Sequence, residues 1–211
     1  MTLPRIPRLV VATRNAGKIV ELADGLEGFD PPLVLSSISE WPDAVDVEES
    51  GMTCRENARL KVLAARDATN LPSLADDSAL EVDALGGAPG VQSARYAGPE
   101  AIPVNNIRKL LAALDGVEDR DRTARFRCVL ALALPGVPEP EYFEGVVEGI
   151  IAREPVGGGG FGYDPVFVVT EVGRTMAELT SSEKGRLSHR ARALAALRRR
   201  LRPLNAGRAR P

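Results

Sequence analysis

Aromatic side chains make up only 4% of these 211 residues, cysteine occurs twice and histidine once. So few rings argue against a nucleic-acid surface built on base stacking, and no recognised nucleic-acid-binding motif is present. Cys54 and Cys128 are too few for a disulfide framework and lack the spacing of a metal site. No apolar run approaches the roughly 18–20 residues of a membrane helix, so no membrane association is expected. The opening "MTLPRIPRLVVATRN" has neither the apolar stretch nor the cleavage site of a secretory signal, which points to the cytoplasm. Internal repeats and domain linkers are also missing. The length suits one domain over 1–211 with a good-sized core in two lobes.

Charge is present but unevenly spread. Ten Lys and Arg and no Asp or Glu lie between Lys184 and Pro211, which leaves 17 basic and 29 acidic residues in the rest of the chain. An acidic body with a basic end is one signature of a polynucleotide binder. The stretch "RARALAALRRRLRPL", however, spaces Leu194, Leu197 and Leu201 along one helical face. From about 188 the chain therefore reads as a packed basic helix and tail with solvated arginines, and nucleic acid is not expected as a partner.

The apolar periodicity predicts a buried strand at 8–13, a helix over 18–28 and one short strand within 30–43. A capped helix follows at 50–70, then a strand, a charged interruption and a second strand over 72–85. A helix with Pro103 in its first turn is predicted at 102–116, and β segments at 122–135 and 142–155. A glycine loop feeds a strand over 157–169, and 175–201 is helical, in one or two pieces. Hairpin-like β segments with helices at both ends imply an α/β fold whose mixed sheet is flanked by helices. A regular βαβ alternation, which a doubly wound parallel sheet needs, is absent.

Four segments carry residues suited to chemistry. "TRNAGK" (Thr13, Arg14, Asn15, Ala16, Gly17, Lys18) sits at a strand-to-helix junction, where free N–H groups and the helix dipole favour a phosphate. Lys18 in the first turn opposes that dipole, and a bound anion would remove the conflict. An ordinary Asn/Gly turn with a solvated lysine accounts for the same residues. "ADDSAL" puts Asp76 and Asp77 in an apolar stretch, where charge is costly unless paired or metal-bound. On a strand the two carboxylates point to opposite sides, so one can face a site while the other pairs with the scaffold. Carboxylate oxygens are the ligands magnesium prefers, and Glu48 or Glu49 could supply another. Two solvated aspartates in a surface turn are the competing reading.

The third segment, "FGYDPVF", offers Phe161 and Tyr163 for stacking on a planar base, with Gly162 and the preceding glycines permitting close backbone approach. An aromatic core strand behind a turn would look alike. The fourth, "EKGRLSHR", gathers Lys184, the lone His189 and Arg190 as donors for phosphate or a base carbonyl.

In this order and over nearly the whole chain, "VVATRNAGK", "ADDSALEVDALGGAPGVQSARYAG", "GGFGYDPVF" and "EKGRLSHRARAL" resemble the inosine-triphosphate pyrophosphatase family, the XTP/dITP diphosphatases. The resemblance implies an elongated mixed α/β fold with a nucleotide cleft between two lobes, usually a homodimer. It implies magnesium-dependent hydrolysis of ITP, dITP or XTP to the monophosphate and pyrophosphate. By position, Thr13 to Lys18 would hold the triphosphate, and Asp77 would be metal ligand and proton acceptor, with Glu49 as second carboxylate. Ser78 would touch substrate, Phe161, Gly162, Tyr163 and Asp164 would line the base pocket, and Lys184, His189 and Arg190 would contact the nucleotide. Three departures stand out: Ala79 and Ala191 where glycine is usual, and Arg14 where a small residue is common. A related pyrophosphatase for pyrimidine or modified nucleotides, or a nucleotide- or nucleic-acid-binding protein without turnover, are the alternatives.

Overall fold

The computed structural model describes residues 6–29, 32–44 and 47–205, with side chains as far as 202. Strand β1 (Arg8–Val11) has one exposed residue followed by three buried ones, as an inner strand requires. Helix α1 (Ala16–Gly25) begins two residues earlier than the periodicity predicts, because the Asn15 side chain accepts from the Lys18 amide and caps it. Strand β2 (Val34–Ser37) pairs parallel with β1, Arg8 opposite Val34. Helix α2 (Cys54–Thr69) is capped by Thr53, whose hydroxyl accepts from the Glu56 amide, and it ends on Asn70 at φ 52°. Asparagine is one of the few residues that tolerates that left-handed cap.

Strand β3 (Ser73–Val82) pairs parallel with β1, Val10 opposite Ser73, and antiparallel with the two-residue β4 (Pro89–Gly90). Helix α3 (Pro103–Ala113) carries its proline in the first turn, where no N–H is needed. Then come β5 (Thr123–Ala133), β6 (Glu141–Ile151), β7 (Phe167–Val169) and β8 (Arg174–Thr175), and finally α4 (Ser181–Leu187) and α5 (His189–Asn205). The strand order is β2-β1-β3-β5-β6-β7-β8. Pairing is parallel around β1 and antiparallel from β6 to β8, which makes the mixed α/β sheet the sequence implies.

Two expectations need correction. The charged interruption at 76–77 does not exist: β3 runs unbroken through both aspartates. Their charges are met by long-range partners, so the backbone has no reason to leave the sheet. The stretch 175–201 is also not helical throughout. Residues Met176–Glu178 form a single tight turn, and Ser188, extended at φ −69° and ψ 158°, separates α4 from α5. Ala79 shows no backbone strain, because it is an ordinary buried strand residue without positive φ.

The described chain forms two compact units. The first gathers the residues up to Asp77, those from Val129 to Glu144 and those from Arg190 on; the second gathers Ser78–Cys128 and Gly145–His189. The boundary thus falls inside β3, between Asp77 and Ser78. In the first unit the buried leucines of α5, Leu194, Leu197 and Leu201, make the apolar face their spacing implies. A Cβ on Gly25 of α1 would collide with the Leu194 side chain, so this glycine is what lets α1 and α5 approach. The second unit has a core of Leu80, Leu110, Leu114, Phe126, Tyr163 and Phe167, among others. The tail beyond 205 lies outside the described residues. Among the described residues no helix is long and apolar enough to cross a membrane.

Candidate active site

In the first unit, adjacent aspartates of β3 meet different partners. The Asp76 carboxylate is buried. Arg190 Nε donates to its Oδ2 at 2.7 Å, and Lys18 Nζ lies 2.5 Å from its Oδ1. Burial by itself would raise this carboxyl, but Arg190 and Lys18 outweigh it and hold Asp76 well below the usual carboxylate range. Arg190 NH1 also donates to Glu21 of α1. A guanidinium only 2% exposed is thus clamped between two carboxylates.

Asp77 points the other way, as strand alternation requires. Its Oδ1 accepts from Lys61 Nζ of α2 at 2.6 Å, and the same ammonium donates to Glu49 Oε1 at 2.7 Å and to the Asp76 carbonyl at 2.9 Å. Burial pushes the Asp77 carboxyl up, and Lys61 and Lys18 bring it only partly back. For Lys61 burial works downward, but Asp77 and Glu49 outweigh it, so the ammonium stays charged. Neighbouring residues of one strand therefore hold a firmly ionised acid and one whose carboxyl is raised. Glu49 reaches this cluster; Glu48 is exposed.

The "TRNAGK" turn forms a local hydrogen-bonded frame. Thr13 Oγ1 accepts from the Asn15 amide at 3.2 Å, and Asn15 caps α1, so Lys18 falls in its first turn. Arg14, Asn15 and Ala16 are exposed, while Gly17 and Lys18 are half-buried. The rule-breaking lysine finds an anion within the protein itself, Asp76. Ser78, half-buried, follows on the same face of β3 as Asp76.

The second unit holds a separate group. Asp164 Oδ2 accepts from Lys184 Nζ at 2.6 Å and from the Phe161 amide at 2.8 Å. Lys184 Nζ stands 4.8 Å from the centre of the Phe161 ring, within cation–π range. His189 opens α5 and lies parallel to Phe126, ring centres 4.8 Å apart with 15° between planes. Of the two rings expected to stack on a base, Tyr163 is buried in the core, and its hydroxyl donates to the Ser93 carbonyl at 2.9 Å. Burial also raises that phenol strongly. Only Phe161 stays partly exposed beside Lys184. The glycine run serves the loop's own packing. A Cβ on Gly159 would sit 2.9 Å from the Ala177 carbonyl oxygen, and one on Gly160 would overlap Asp164. Gly162, at φ 61°, takes the left-handed conformation that lets the loop turn between Phe161 and Tyr163.

Sequence reasoning passed over Lys61, Glu21 and Phe126. For Lys61 a signal existed: α2 buries Cys54, Asn57, Ala58, Val62 and Ala65, and position 61 lies on that same stripe. A lysine on an apolar stripe needs buried anions. Glu21 and Phe126 gave no such sign, since their partners lie 169 and 63 residues away.

Residues 9–200 match the model of the Ham1 family. The chain belongs to the Ham1 family. It is 52% identical over 191 residues to the dITP/XTP pyrophosphatase of Geobacter sulfurreducens, covering 90% of this chain and 94% of that one. Its fold matches the structure of a HAM1 protein from Coxiella burnetii at TM-score 0.83 and 44% identity, covering 92% and 98% of the two chains. The Staphylococcus aureus Ham1 protein matches at TM-score 0.82 and 43% identity, covering 92% and 97%. These Ham1 proteins share the mixed sheet described above.

Proposed function

We propose that this Ham1-family chain is a magnesium-dependent nucleoside triphosphate diphosphatase, which hydrolyses dITP, ITP and XTP to the monophosphate and pyrophosphate. The observation that carries this reading is the first unit's cluster of Asp77 and Glu49 around one cation, with Lys18 and Asp76 alongside. The dITP/XTP activity named for relatives about 50% identical over most of their length supports it.

The donor set suits a hard divalent cation. Glu49, Asp77 and the Asp76 carbonyl already direct oxygens at a single positive charge. No group of three or more acidic, histidine or cysteine side chains gathers as a metal cage among the described residues. Magnesium needs only one or two protein carboxylates and takes the rest from water and substrate phosphates. Asp77 and Glu49 would hold it, and when bound it would neutralise phosphate charge and make a bound water more acidic.

Phosphoryl transfer needs positioning and charge neutralisation more than covalent chemistry. The turn from Thr13 to Lys18 and the ammonium of Lys61 bind the triphosphate. Asp77, whose carboxyl burial pushes up, accepts the proton of the attacking water. Arg190 acts by holding Asp76 in place rather than by touching the nucleotide. In the second unit Phe161 stacks on the base, Ser78 contacts the substrate, and Lys184 and His189 supply donors to a 6-oxo group. Adenine presents an amino group there, so donor would face donor, a mismatch of the kind that costs orders of magnitude. A cytoplasmic homodimer of a single nucleotide-hydrolysing domain completes the reading, and light scattering on the purified protein tests the dimer.

Pyrophosphate release from dITP, ITP, XTP, GTP and ATP, with and without magnesium, tests the activity. Release from dITP and XTP that requires magnesium and far exceeds that from ATP is expected. Equal kcat/KM for dITP and ATP would overturn the selectivity argument.

A further inference from the structure

The Lys61 ammonium stands where the site most needs a cation. Its Nζ contacts Glu49 Oε1, Asp77 Oδ1 and the Asp76 carbonyl, all within 2.9 Å. A hydrated divalent ion asks for the same anionic oxygens, and two cations cannot share one pair of carboxylates at hydrogen-bond distance without strong repulsion. Lys18 is not an equivalent neighbour, because it is engaged with Asp76, which Arg190 also holds. The Lys61 backbone is fixed within α2, while its flexible four-carbon stem lets the charged end move without disturbing the helix.

We propose that Lys61 is a built-in stand-in for the divalent cation: it holds Glu49 and Asp77 together in the ligand-free protein and is displaced from them when metal and nucleotide bind. The inference rests on the reading of Asp77 and Glu49 as the metal carboxylates. Without the lysine, two carboxylates would face each other with no charge between them. With it, metal alone must compete against an internal ion pair and binds weakly. A triphosphate changes the balance by receiving the released ammonium, so metal and nucleotide favour each other's binding. The order has a use, since a divalent ion is then gripped firmly only when there is a phosphate chain to act upon.

The probe is Mn2+ alone, counted as free ion by electron paramagnetic resonance, against wild type and Lys61→Met. The titration is then repeated with a dITP analogue whose α,β-bridging oxygen is replaced by methylene. Without nucleotide, Lys61→Met is expected to bind Mn2+ at least about fivefold more tightly than wild type, the low end of typical coupling between sites. The gain in Mn2+ affinity that the analogue confers is expected to shrink by a similar factor. Equal or weaker nucleotide-free binding by the variant, with Mn2+ still bound by both proteins when the analogue is present, overturns the stand-in role and leaves the metal assignment intact. Failure of either protein to bind Mn2+ even with the analogue overturns the metal assignment, and the stand-in role with it. Should Lys61→Met not fold, the wild type decides through the 15N side-chain resonance of Lys61, assigned with Lys61→Arg. That resonance is expected to move when Mg2+ and the analogue bind, and an unmoved resonance in the loaded protein overturns the proposal.

Discussion

The two compact units of this chain handle polar groups in different ways. The first concentrates charge: Lys18, Lys61 and Arg190 are interleaved with Asp76, Asp77, Glu49 and Glu21. The second holds a buried ion pair, Asp164 with Lys184, with Phe161 beside the lysine, and elsewhere relies on rings: Phe126 stacked on His189 and Tyr163 anchored in the core. A chain of phosphates is recognised through charge, which tolerates some looseness in position. A planar base is recognised by where donors and ring faces lie, which demands rigid placement. The first unit is thus organised around compensated charge, and the second around the placement of rings and donors.

Within the first unit the contrast sharpens to one peptide bond, and the largest expected effects lie there. Asp77→Asn removes the proposed proton acceptor and is expected to lower kcat for dITP by about 10²–10⁴-fold, the usual worth of general-base catalysis. Its stability at neutral pH is expected to fall less than that of Asp76→Asn, because burial already disfavours the charge at Asp77 and Glu49 still faces Lys61. Stopped assays of pyrophosphate release and a thermal melt check the two halves. Retention of more than about a tenth of the activity would contradict the base assignment.

Asp76→Asn is expected to behave in the opposite sense: a loss of about 3–5 kcal/mol in stability, because Arg190 and Lys18 lose their buried carboxylate. The pH dependence follows from the lowered Asp76 value. Its stabilisation is fully present above the unfolded value of about 3.9 and is lost as pH falls from there toward the much lower folded value. Urea unfolding at stepped pH should therefore show wild type and variant converging only in acid. If Asp77→Asn proved as destabilising as Asp76→Asn, the division of labour between the neighbours would collapse.

The smallest effect tests the second unit. Phe126→Leu removes the ring on which His189 rests. An aromatic pair is worth about 0.5–1.5 kcal/mol beyond its buried area, so kcat/KM for dITP is expected to fall about 2- to 12-fold. A role in packing alone would lower Tm and leave the ratio of dITP to ATP turnover unchanged. A positioning role lowers that ratio as well.

Much of this arrangement was legible in the residues. The capped start of α2, the helix-leading Pro103 and the leucines of α5 are local signals, set by hydrogen bonds and periodicity within a few positions. The unbroken course of β3 through two aspartates was not legible, because a buried charge looks like a break until its partner is known. Tyr163 likewise reads as a candidate stacking ring until its hydroxyl is seen bound to Ser93, 70 residues away.

The sequence by itself determined most of the helices and strands and the mixed α/β class, since backbone propensity and side-chain period act over short range. Only the tertiary structure decided which of two adjacent aspartates is locked by Arg190 and which shares Lys61 with Glu49. That choice is electrostatic, and it depends on distances between groups up to 114 residues apart.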